Sequence, residues 1–144
     1  MAVTGLVFLM ILSGGFVAGT KAGFVFNTFP LMNGRFVPEG ILALQPVWLN
    51  FFENVATVQF DHRLLAYVLC GVIPVFWIYA QRFDLAFGTR LALHMLLLAL
   101  GLQVALGITT LLLVVPVWLG AMHQAGALLV FTAALYLNFA FRRT

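Results

Sequence analysis

Three histidines, His62, His94 and His123, and one cysteine, Cys70, are the side chains of this sequence best suited to bind a metal or move a proton. Two neutral imidazoles at the same level can grip an iron from opposite sides of a flat ring. A single imidazole near a surface is more simply a polar anchor. His62 lies in "VQFDHRLLAY", flanked by Asp61 and Arg63; His123 lies in "GAMHQAGA"; His94 lies in "LALHMLLL". Cys70 stands alone in an apolar run, so it offers neither a disulfide framework nor a CxxC metal site and reads as a small packed residue. No phosphate-binding glycine loop, no Ser/His/Asp order and no pair of carboxylates inside an apolar run is present in the sequence. No residue is therefore assigned a catalytic role from the sequence.

The elements that must position these groups are dictated by composition. Of the residues, 64% are hydrophobic and 8% charged. A water-soluble fold of this size has too little interior to hide so much apolar surface, so the solvent is expected to be lipid. The 7 Lys and Arg are scattered, not clustered, and no nucleic-acid surface is expected. The first 20 residues are uncharged and long enough to cross about 30 Å of hydrocarbon. They lack the basic start of a cleaved signal peptide and read as a retained helix. A second uncharged run separates Arg63 from Arg82. After Arg90 no charge appears until Arg142, a run that would be about 76 Å long as one helix and so must fold back. The break falls at "VVPVWLG", where Pro116 ends a helix and Trp118 suits an interface. The expected fold is an all-α membrane protein, a single four-transmembrane-helix bundle over residues 1–144. Its helices lie near 2–20, 55–81, 90–114 and 118–141, with an outer loop at 21–54.

Four crossings place both termini on one side. Arg82, Arg90, Arg142 and Arg143 crowd the short segments there, which predicts that face as cytoplasmic. Depth then sorts the histidines. His62 precedes Arg82 by 20 residues and His123 precedes Arg142 by 19, which puts both about 28–30 Å above the inner face. His94 follows Arg90 by four residues, about 6 Å from that face, and reads as interfacial. Only His62 and His123 can meet. That pair is expected to ligate a b-type heme iron from either side, with Gly120, Gly126 and Ala127 leaving room beside His123. Arg63 is expected to pair with a heme propionate, and Asp61 to face outer water or orient a neighbouring donor. The GxxxG spacing of Gly15 and Gly19 signals close helix packing.

"AGFVFNTFPLMNGRFVPEG", "PVWLNFFENVATVQFDHRLLAY" and "LQVALGITTLLLVVPVWLGAMHQAGALLVFTAALY" closely resemble the C-terminal half of the heme A synthase family, over nearly the whole chain. The resemblance implies half of an eight-helix body built from two four-helix bundles related by a pseudo-twofold. It implies an oxidoreductase of the bacterial cytoplasmic or mitochondrial inner membrane that turns a ring methyl of heme O into the formyl of heme A for cytochrome oxidase assembly. In that family the C-terminal half holds an electron-passing heme b through histidines on its second and fourth helices. These correspond to His62 and His123, the pair already selected by depth.

The departures bear on activity. The half presumed to hold heme O is missing, and its glutamate three residues before the second-helix histidine corresponds here to Gln59, which cannot act as a base. Glu53 and Asp61 are the nearby carboxylates, and a loop cysteine pair seen in some branches is absent. Three origins are open: a truncated product, an engineered half, or a half-length protein that pairs with a second copy, as half-length family members do. The implied partners are the lipid bilayer, a second copy or an N-terminal half, heme O, and an unknown electron donor. The competing reading is a non-enzymatic membrane assembly or scaffold protein with no bound heme. A quinone-linked cytochrome b would need a quinol pocket, for which the sequence offers no residue.

Overall fold

The computed structural model describes residues 1–143; Thr144 lies outside the described residues. Four helices are long and apolar enough to cross a membrane. They are α1 (Ala2–Gly19), α3 (Val55–Ala80), α4 (Phe87–Leu112) and α5 (Val117–Phe141), with a short α2 (Asn50–Glu53) in the loop before α3. No strand occurs among the described residues; the Met32–Arg35 bridge is an isolated pair.

Local chemistry accounts for where each helix starts and stops. Asn54 caps α3: its side chain accepts from the backbone N–H of Ala56 and Thr57, at 2.9 and 3.1 Å. Such a cap satisfies N–H groups that no helical carbonyl can reach. The break expected at "VVPVWLG" falls at Val114 and Val115, whose φ values of 59° and 54° are unusual for β-branched residues. Val115 N–H still reaches Thr110 O at 2.8 Å, and Pro116 then caps α5. Because this turn is tight, α4 and α5 run antiparallel along each other and pack closely. α1 packs on α3 and α5, while α3 meets α4 more sparsely.

The dry core lies in the half of the bundle nearer the termini, where Val7, Ile73, Leu93, Leu96, Val130 and Leu137 are buried. Large apolar side chains such as Val75, Leu102 and Leu129 point outward, as they do in a protein whose solvent is hydrocarbon. At that same end, Arg82 lies over Tyr79 and Arg143 over Phe139, cation–π pairs suited to an interface. Trp77 donates to His94 Nδ1 at 2.9 Å, so His94 is held at this end, away from the other two histidines.

The loop at the opposite end is tied down by buried polar side chains. Asn50, fully buried, bonds Leu44 N and O and Val47 O. Thr57 Oγ1 accepts from Leu42 N, and Asn27 donates to Leu111 O, joining the loop to the end of α4. Buried backbone needs such partners. The loop is thus a structured cap on one end of the bundle.

Candidate cofactor site

His62 on α3 and His123 on α5 each lie 18 residues from the last residue of their helix, Ala80 and Phe141. At 1.5 Å per residue both stand about 27 Å above the terminal end. Equal length in two helices of the same direction brings them level, and the imidazoles lie within electrostatic range of one another. Both side chains are partly buried.

Each ring is held at Nδ1 by a side chain from a neighbouring helix. Ser13 Oγ on α1 lies 3.1 Å from His62 Nδ1. Gln103 Nε2 on α4 lies 3.1 Å from His123 Nδ1 and also donates to His123 O at 2.7 Å. Glycines let the rings approach. A Cβ on Gly14 would sit 3.3 Å from His62 Cε1, and one on Gly107 only 2.7 Å from His123 Cε1. With both Nδ1 atoms engaged, no hydrogen bond to either Nε2 occurs among the described residues. Two level imidazoles with Nε2 unpartnered are the donor set that an axially ligated heme iron takes. No group of three or more His, Cys, Asp or Glu that could cage a bare ion occurs among the described residues.

The small residues beside His123 do a different job from the expected one. Gly126 houses the amide of Gln103, whose Oε1 a Cβ there would overlap, and Gly120 faces Val115. The imidazole itself is given room by Gly107, on the neighbouring helix. Ser13, Gly14, Gln103 and Gly107 are not singled out by sequence reasoning. The available signal is an isolated Ser and an isolated Gln inside uncharged apolar runs.

Arg63 is buried and turned to the loop. Nη2 donates to Phe26 O at 2.8 Å and Nη1 to Thr28 O at 2.9 Å, with Pro30 O and Leu31 O at 3.4 Å. Its terminal nitrogens, expected to meet a propionate, therefore hold backbone carbonyls; Nε is buried without a partner. Gln59 shares this task, donating to Phe26 O at 3.1 Å and leaving its own Oε1 buried and unpartnered. Asp61, partly buried, makes no hydrogen bond or ion pair among the described residues. Cys70 is free and exposed on α3.

Comparison with known proteins identifies the family. A family model described as "Cytochrome oxidase assembly protein" (COX15-CtaA) matches residues 1–135. The chain is 55% identical over 140 residues to the heme A synthase of Nitrosospira multiformis, covering 97% of this chain and 39% of that protein. It is 56% identical over 133 residues to the heme A synthase of Nitrosomonas eutropha, covering 92% and 37%. With heme A synthase COX15 of Homo sapiens it shares 45% over 139 residues, covering 96% and 34%. The chain thus spans well under half the length of the curated relatives it matches. No solved structure matches it significantly. Four apolar spans and this extent of similarity make it a multi-pass membrane protein, and the chain belongs to the heme A synthase family.

Proposed function

We propose that this chain is the electron-transfer half of a heme A synthase, with His62 and His123 as the two axial ligands of a heme b. The observation that carries the reading is the level pair of imidazoles, each held at Nδ1 and each with Nε2 unpartnered. A heme held by His62 and His123 would supply one-electron transfer. His62 and His123 bind and orient the ring. Arg63 and Gln59 hold the loop over its edge, and Arg63 Nε is the donor left for a propionate. Heme O, whose ring methyl is oxidised to the formyl of heme A, is held by an N-terminal four-helix unit like that of the full-length relatives. The membrane is the bacterial cytoplasmic or mitochondrial inner membrane. Both termini lie on the cytoplasmic or matrix side, where Arg82, Arg90, Arg142 and Arg143 gather.

The test is heme A formation in a host lacking its own synthase. This chain alone should yield none. Co-expressed with the N-terminal part of the Nitrosospira relative, it should yield heme A, and His62→Ala should abolish it. Undiminished product from His62→Ala in that combination would contradict the reading.

A further inference from the structure

We propose that Ser13 and Gln103 are positioning residues for the two imidazoles, fixing which nitrogen each presents and how strongly it donates to a metal. This rests on the heme reading above. Hydroxyls in apolar helices ordinarily return to the carbonyl one turn back. Thr109, Thr110 and Thr132 do so here, at 2.7–2.8 Å. Ser13 does not. Its one hydrogen bond crosses from α1 to His62 Nδ1.

Gln103 is held just as firmly in one pose. Its amide nitrogen sits between the carbonyl and the Nδ1 of His123, and its oxygen occupies the space that residue 126 leaves by lacking a Cβ. Exchanging the amide's nitrogen and oxygen would set two acceptors against each other at the His123 carbonyl, so the N–H orientation is the one the backbone demands. Each ring is therefore clamped twice, by a glycine against its edge and a polar group at Nδ1. The same device is built from Ser13 with Gly14 on α1 and from Gln103 with Gly107 on α4.

The two clamps differ in their chemistry. A hydroxyl can accept from Nδ1–H, which raises the electron density that Nε2 offers a metal. An amide N–H directed at Nδ1 favours the opposite tautomer, with the proton on Nε2. His62 is thus the ring prepared for iron as it stands, whereas His123 offers Nε2 only when Nδ1 carries the proton, which requires the Gln103 amide to release Nδ1 while keeping its bond to the His123 carbonyl. A Gln103→Glu carboxylate, which accepts and cannot donate when ionised, should make His123 the stronger donor.

The experiment uses the membrane-extracted chain with its heme. The midpoint potential, the low-spin electron paramagnetic resonance signal and the rate of heme loss to apomyoglobin are recorded for wild type and variants. Ser13→Ala is expected to keep a low-spin spectrum, raise the potential and release heme about 10–100-fold faster, as loss of such partners typically does. Ser13→Thr, which keeps the hydroxyl, should return both values toward wild type. Gln103→Glu, close in volume, should lower the potential, whereas Gln103→Leu should speed heme loss. Heme-loaded Ser13→Ala and Gln103→Glu proteins with wild-type potential, resonance and release rate would overturn the proposal while leaving the heme assignment intact. A wild-type protein that takes up no heme would overturn both.

Discussion

At the scale of single residues, the site depends on two places where a side chain is absent. Gly107 is the tighter: a Cβ there would lie 2.7 Å from the His123 ring, so the ring would have to shift. Gly107→Ala is therefore expected to cost about 1–3 kcal/mol and to push His123 out of line. Heme stoichiometry by pyridine hemochrome should fall sharply. Gly15→Ala makes the contrast, because nothing lies within 4 Å of a Cβ there, and its heme content should match wild type. Equal heme in both variants would refute the cradle. The equal height of His62 and His123 is legible in the amino-acid sequence, since it follows from counting residues to Arg82 and Arg142. Ser13, Gln103 and the two cradling glycines are not. They act across helix–helix contacts, and apolar runs of such uniform hydrophobicity carry no stripe to say which face of α1 or α4 turns inward. For the same reason Gly126 reads in the sequence as room for a ring, whereas in the fold it makes room for an amide on another helix.

At the scale of elements, the loop between α1 and α3 is held by what the end of α3 offers it. Arg63 reaches the carbonyls of Phe26 and Thr28, and bonds from a charged donor contribute about 1.5–3 kcal/mol each. Arg63→Met keeps the length and apolar stem of the side chain but loses those bonds. The loop should then be cut several-fold faster by added protease near Gly34, while the helical circular dichroism stays unchanged. A cleavage rate equal to wild type would remove Arg63 from that role. Asn54→Ala should cost about 1 kcal/mol of stability through the lost cap on α3, seen as a lower midpoint in thermal unfolding in detergent. The long helices can be read from uncharged runs alone, because lipid demands apolar length. The internal order of the loop cannot be. Its Asn50 hub joins residues only three to six positions away, but neither that hub nor the left-handed residues follow a repeating pattern, and the run "NFFENV" is too short to show a helical period.

At the scale of the whole molecule, the four spans set the loop and the termini on opposite faces. The arginine-rich end is expected to lie inside. In a Cys70→Ser background, a Gly34→Cys protein should react with an impermeant maleimide added to intact cells. An Asp84→Cys protein should react only after the membrane is opened. The reverse pattern would invert the orientation and place the heme near the inner surface. Apolar packing lies toward the termini and the polar side chains lie toward the loop, with His62 and His123 in the second half.

The most direct test of the account is a reduced-minus-oxidised absorption spectrum of the detergent-purified chain, repeated for His62→Ala and His123→Ala. A sharp low-spin b-type α band is expected in the wild type and its loss is expected in both variants. A wild-type protein that remains colourless after incubation with hemin, or a band that survives either substitution unchanged, would contradict it.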